Sequence, residues 1–264
     1  EGERSHPKSK HPILSEFAVR QAISLCIDRD GVQKFIYGRT GIATANFLNN
    51  PQRFVSKNTK FEFNPEKAAQ VLEAAGWKKG ADGIREKGGK KLKLVFQTSI
   101  NGPRQKTQQI IKQAAQKAGI DMELKAVPAS VYFSSDPANP DTYTKLFVDM
   151  QMFTTTMPQP DPEVFMNQYL TDQFATKANK WLGRNSTRYS NPEYDKAYLA
   201  AQSEMDPVKR AALFVRMNDM PVNDIVIIPV VYRPRTSAAV HSLVAPLSGW
   251  DNDLWLLKDW YKNT

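Results

Sequence analysis

Apolar residues first recur at helical spacing between Ser15 and Ile27. Phe17, Ala18, Ala22, Leu25 and Cys26 fall on one face, with Arg20, Gln21 and Ser24 between them. That 3.6-residue period predicts an amphipathic helix, and Ser15 is placed to cap it. Asp28 opens a second short helix that Gly38 ends, and residues 39–64 read as loop. Asn64-Pro65 then starts a well-punctuated helix. Asn64 supplies the cap, Pro65 takes the first helical position, and Gly76 stops it before Trp77.

Residues 77–90 read as a small hairpin with turns at Asp82-Gly83 and Gly88-Gly89. Leu92 to Thr98 alternates as a strand. Arg104 to Ala118 is an amphipathic helix with Ile110, Ile111 and Ala114 or Ala115 inward, and Ile120 to Val127 is a second strand. Strand, helix and strand in this order predict a right-handed parallel crossover. Leu146 to Phe153 is a third strand candidate, followed by a proline-rich loop over residues 154–162. Helices are predicted over 163–170, 191–205 and 206–220, and the apolar run 225–232 reads as a strand. Strands alternating with helices predict an α/β layer fold.

The chain has 264 residues, 41% of them apolar, enough to bury a substantial core. No run of apolar residues is long enough to span a membrane. Residues 1–12 are polar, read as a flexible lead-in and lack the apolar region of a signal peptide, which says nothing about compartment. Cys26 is the only cysteine, so it reads as a small buried core residue with no disulfide or thiolate metal site. His6 and His11 have no partners at ligand spacing, so no metal is expected. Net charge is +9, but the basic residues are spread out and no nucleic-acid-binding motif occurs. Nucleic-acid binding therefore stays only as an alternative. No G-x-S-x-G, P-loop or H-E-x-x-H pattern occurs, and neither an enzyme nor a cofactor is expected.

Six segments in order resemble the family 5 solute-binding proteins of ABC importers, the dipeptide and oligopeptide binders. They are the Arg20-Gln21-Ala22 helix, the Pro65 to Trp77 helix, the strand–helix unit ending Ala118-Gly-Ile-Asp-Met-Glu-Leu124, Asp161-Pro162, Asn191-Pro-Glu-Tyr-Asp195 and Ile228-Pro-Val-Val-Tyr232. The resemblance implies a type II periplasmic-binding-protein-like lobe, with a mixed sheet flanked by helices. It implies residues 13–226 as a second lobe and 227–264 as a segment returning to a first lobe whose sequence this chain lacks. That tail, with Trp250, Asp251, Trp255 and Trp260, is then expected to expose apolar surface. The implied activity is solute capture in the bacterial periplasm for a permease in the inner membrane. The alternative is an isolated lobe with no binding of its own.

In the dipeptide-binding branch an Arg at the start of the helix after the first strand holds the ligand carboxylate. Arg104 occupies that place, and is otherwise a solvated first-turn residue. A guanidinium fork suits a carboxylate because it donates two parallel charged hydrogen bonds. The same branch carries an Asp before the Asp-Pro loop to hold the ligand ammonium. Here Thr154, Thr155 and Thr156 stand there and the loop is longer, which weakens the ordinary peptide reading. It opens the way to a ligand without a free amine, such as an opine-like conjugate, a sugar derivative or a modified peptide. The threonines are otherwise a strand end. Asp161 matches the second Asp of the motif and reads chiefly as a turn former. Phe153 is either a pocket wall or core, and Trp181, with Arg184 and Asn185, either a lid or a surface loop.

Overall fold

The computed structural model describes residues 5–247, 254 and 256–263. Trp250, Asp251 and Trp255 lie outside the described residues. The first helix, α1, runs Phe17–Leu25, and the residue before it is Glu16, with no side-chain cap; Ser15 is not the cap. Its buried face also sits differently from the expected one. Val19, Ala22, Ile23 and Cys26 are buried while Phe17 is 49% exposed. The neighbour α3 (Pro65–Ala74) packs against α1 and decides which stripe is covered. The short α2 (Arg29–Val32) continues as one π-helical stretch, Gln33–Tyr37, and Asp28 caps it by accepting from the Gly31 N–H. As expected, Asn64 accepts from the Lys67 N–H at the start of α3. Within the long loop, β1 (Ile42–Ala43) is the only strand described.

The basic turn segment forms a three-stranded antiparallel sheet of β2 (Lys78–Lys79), β3 (Arg85–Lys87) and β4 (Lys90–Lys91). The principal sheet has the order β6-β5-β7, with β5 (Lys93–Ser99) central. It pairs in parallel with β6 (Asp121–Val127) and with β7 (Met150–Met152). The crossover between β5 and β6 is α4 (Gly102–Ala118), ended by Gly119 at φ 86°. Only glycine adopts that left-handed stop without strain. Cβ alternation aims Leu94 and Phe96 at one face, where they meet Ile111 and Met122 in a core shared with α1 and α3. The third strand is shorter than expected, three residues rather than eight.

A second core forms between α6 (Glu163–Met166), α7 (Pro192–Ser203) and α8 (Pro207–Asn223), around Phe54, Phe165, Tyr194, Phe214 and Met217. A short helix, α5 (Ala129–Tyr132), follows β6. The apolar run 225–232 is strand only at β8 (Val231–Tyr232), which pairs antiparallel with β1. It bridges the two cores: Ile227 packs on the second, Ile228 and Val230 on the first. The tail closes with β9 (Leu243–Val244) antiparallel to β10 (Tyr261–Lys262).

The lead-in is docked, not free, over its described part. His11 Nε2 lies 2.9 Å from Asp149 Oδ1, and its Nδ1 accepts from the Ile13 and Leu14 N–H groups. Asp149 in turn accepts from the Val95 N–H at 2.7 Å. The sequence hides this link because the partners are 138 residues apart. The tail exposes Val240, Leu247, Leu254, Leu257 and Tyr261, each by 46% or more.

Candidate functional site

A cleft of about 1450 Å³ opens between the two cores. Its walls come from the lead-in, the loop over residues 44–50, the N-terminal end of α4, the segment 143–157 and the return strand. Of the residues expected to meet ligand, Arg104, Phe153, Thr154, Thr155 and Thr156 line this cleft. Asp161 and Trp181 are not among the lining residues.

Arg104 is placed by a local device. Asn101 accepts from the Arg104 N–H, fixing the first turn of α4 at the end of β5. The guanidinium then donates from Nη1 to Ser99 Oγ at 2.5 Å and lies 5.9 Å from the centroid of the Phe133 ring. It makes no ion pair with the described residues. Burial, followed by the nearby Arg233 guanidinium, draws its pKa down. Both effects disfavour the cation, so an incoming anion relieves a standing cost. The partial positive end of α4 acts in the same direction.

Beside it Phe153 joins an aromatic cluster. Its ring centroid is 5.1 Å from Tyr143, 6.3 Å from Tyr132 and 6.5 Å from Phe133. Tyr132 is fully buried and burial raises its pKa, so it stays neutral and packs as an aromatic wall. Phe153 therefore belongs both to a packed cluster and to the cleft wall. Thr154 and Thr155 are half-buried and Thr156 is exposed, all in irregular backbone just after β7 and not at a strand end.

Asp161 is committed elsewhere. Both its oxygens accept from Arg210, and Oδ1 also accepts from the Glu163 N–H at 2.9 Å. This is a turn former with a structural partner. Trp181 sits edge-on to Phe147 at 5.5 Å, with Arg188 5.6 Å and Lys145 5.8 Å from its ring centre. Asn185, fully buried, donates to the Leu170 and Tyr189 carbonyls and holds the loop. Gly183 is required there: a Cβ would come within 2.2 Å of the Phe174 carbonyl oxygen. Arg184 reaches the cleft while donating to the Val164 carbonyl.

Sequence reasoning missed Tyr143, Asp149, Arg188, Tyr232 and Arg233 in the cleft lining. Tyr232 ends the Ile228-Pro-Val-Val-Tyr232 segment, which gave no hint of a place in the cleft; the other four sit in no recognised segment, and the fold brings all five together. No group of three or more metal-ligating side chains occurs among the described residues. No described helix is long and apolar enough to cross a membrane.

The sequence of residues 6–177 matches the model of the bacterial extracellular solute-binding proteins, family 5 middle region. An oligopeptide-binding protein of Bacillus subtilis, AppA, is 28% identical over 206 residues, covering 75% of this chain and 35% of the relative. OppA, an oligopeptide-binding protein of Mycobacterium tuberculosis, is 24% identical over 88% of this chain and 37% of its own length. The chain thus spans little more than a third of these relatives. Among solved structures, an oligopeptide-binding protein of Thermus thermophilus with a pentapeptide superposes at TM-score 0.73 and 24% identity, covering 83% of this chain and 38% of that one. NikZ of Campylobacter jejuni with Ni(L-His) superposes at TM-score 0.73 and 22% identity, covering 96% and 50%. These likenesses show the fold, part of a type II periplasmic-binding-protein architecture.

Proposed function

Because this chain belongs to the bacterial extracellular solute-binding proteins of family 5, we propose that it supplies one wall of the ligand cleft in an ABC-importer receptor. The solute is a peptide or peptide-like molecule, taken up outside the inner membrane and passed to a permease. The observation that carries this reading is Arg104. It is a half-buried guanidinium with no acidic partner among the described residues, in a large cleft and beside an aromatic cluster whose Tyr143 and Phe153 line that cleft. Such a site is suited to binding and orienting a solute.

Residues 13–226 form one lobe in this reading, and 227–264 serve a second lobe. The exposed apolar side chains of the tail support that division, since a contact with a second lobe would cover them. Capture then proceeds by closure of the lobes about the connecting segments. The test is native mass spectrometry and calorimetry on the protein as its source produces it. A co-purifying small molecule is expected, with at least ten-fold weaker capture of a carboxylate ligand after Arg104→Ala. Equal affinity in that variant removes Arg104 from the site.

A further inference from the structure

The cleft is charged well out of balance. Its lining holds six arginines, namely Arg20, Arg104, Arg184, Arg188, Arg233 and Arg235, and two lysines. Among the described residues it holds only two carboxylates, Asp149 and Asp224. Both acids are already engaged. Asp149 holds His11 and the Val95 N–H, and Asp224 accepts from the Tyr189 hydroxyl. Three arginines turn to neutral backbone oxygen. Arg20 donates to the Leu14 and Asp224 carbonyls, Arg184 to Val164, and Arg188 to Thr144 and Ala175. Carbonyl acceptors satisfy the hydrogen bonds of a guanidinium but leave its charge uncompensated; of these three, only Arg20 has a carboxylate among the described residues, Asp224, offsetting its charge.

Arg104 and Arg233 sharpen the point. They come from distant parts of the chain, the start of α4 and the residue after β8, and both face the cleft. Neither makes an ion pair with a described residue. Two guanidiniums in one cleft repel unless an anion lies between or beside them, and arginine cannot escape by losing its proton at neutral pH. Along the segment that follows β7, the cleft wall offers the hydroxyls of Thr154, Thr155 and Thr156. Hydroxyls accept a hydrogen bond but supply no charge.

We propose that the solute of this cleft is a polyanion without a required ammonium group, carrying at least two carboxylate or phosphate-like groups, one held by Arg104 and another by Arg233. The inference rests on the capture reading above. Tyr143 and Phe153, packed together on the cleft wall, cover the uncharged body of such a solute, while the excess positive charge draws it in from solution.

The test uses three probes on the source-purified protein, by calorimetry at low and moderate salt. They are N-acetyl-Glu-Glu, with three carboxylates and no amine; N-acetyl-Ala-Ala, with one carboxylate and no amine; and zwitterionic Ala-Ala. The expected order is N-acetyl-Glu-Glu tightest by ten-fold or more, with affinity falling steeply as salt rises. Arg233→Gln should narrow the gap between the two acetylated probes to about three-fold or less. That exposed position is a mild substitution, and circular dichroism confirms the fold. Inorganic phosphate competing with N-acetyl-Glu-Glu would extend the class to phosphorylated solutes, and absence of competition would restrict it to carboxylates. Preference for Ala-Ala, or a gap untouched by Arg233→Gln, overturns the inference and leaves capture standing. Silence toward all probes also overturns it. In that case a co-purified solute in the native mass spectrum shows whether capture itself survives.

Discussion

Asn218 is the side chain whose loss tests most directly how the cleft is held open. It is fully buried on α8. Its Oδ1 accepts from the N–H groups of Phe47 and Leu48, both at 2.9 Å, and its Nδ2 donates to Asn46 Oδ1 at 2.8 Å. The loop it grips lines the cleft, and Phe47 stacks on Phe165 with centroids 4.5 Å apart. Asn218→Ala strips the acceptor from two amides. Leu48 is 1% exposed, so its N–H has no water to turn to. An unsatisfied buried donor costs about 1–3 kcal/mol, and the half-buried Phe47 amide recovers part of its loss from solvent. The expected destabilisation is about 3 kcal/mol, read from urea unfolding followed by far-ultraviolet circular dichroism. Asn218→Leu keeps the branched side-chain shape and leaves no cavity but removes the same acceptor, so it should cost about as much. A loss under about 1 kcal/mol for the alanine variant refutes the reasoning. So does near-native stability of the leucine variant, which would assign the cost to an empty cavity.

Two further outcomes follow from burial and charge. Burial pushes the Cys26 thiol up to about 12, so maleimide should leave it untouched at pH 8 in the folded protein and label it fully in guanidinium chloride. For Asp161, burial raises the carboxyl pKa but the Arg210 hydrogen bonds outweigh it, leaving the group below its ordinary value. A depressed acid stabilises the fold above the unfolded-state pKa of about 4 and loses that contribution as pH falls through the folded value. Asp161→Asn should therefore flatten the acid side of the stability–pH curve below about pH 4. The effect is at most about 1 kcal/mol, because the carboxylate is partly solvent-screened.

Much of the scaffold was legible because its signals are local. Asn64 and Asn191 each precede a proline, and each caps its helix by accepting from a backbone N–H two or three residues on. The parallel pairing of β5 and β6 follows from the alternating strand, the amphipathic helix and the glycine stop between them. Arg104 could be singled out for the same reason: Asn101, three residues away, sets its place on the helix. The family resemblance drew on several of the same segments, and the match over residues 6–177 bears the family assignment out.

What the sequence could not show is decided by contacts between remote segments. A 3.6-residue period says that α1 has one covered stripe, but packing of α3 chose Val19 over Phe17. The polar lead-in looks free until Asp149, itself fixed by the Val95 amide, gives His11 a partner. Asp161 and Trp181 share a stretch of chain with the cleft residues yet lie off its lining, each with other partners. Arg233, just past the Ile228–Tyr232 segment, enters the cleft because β8 pairs with β1. Local sequence determines which elements form, since caps, turns and periodicity act over a few residues. The charge of the cleft depends on which distant side chains share it, and only the folded chain decides that.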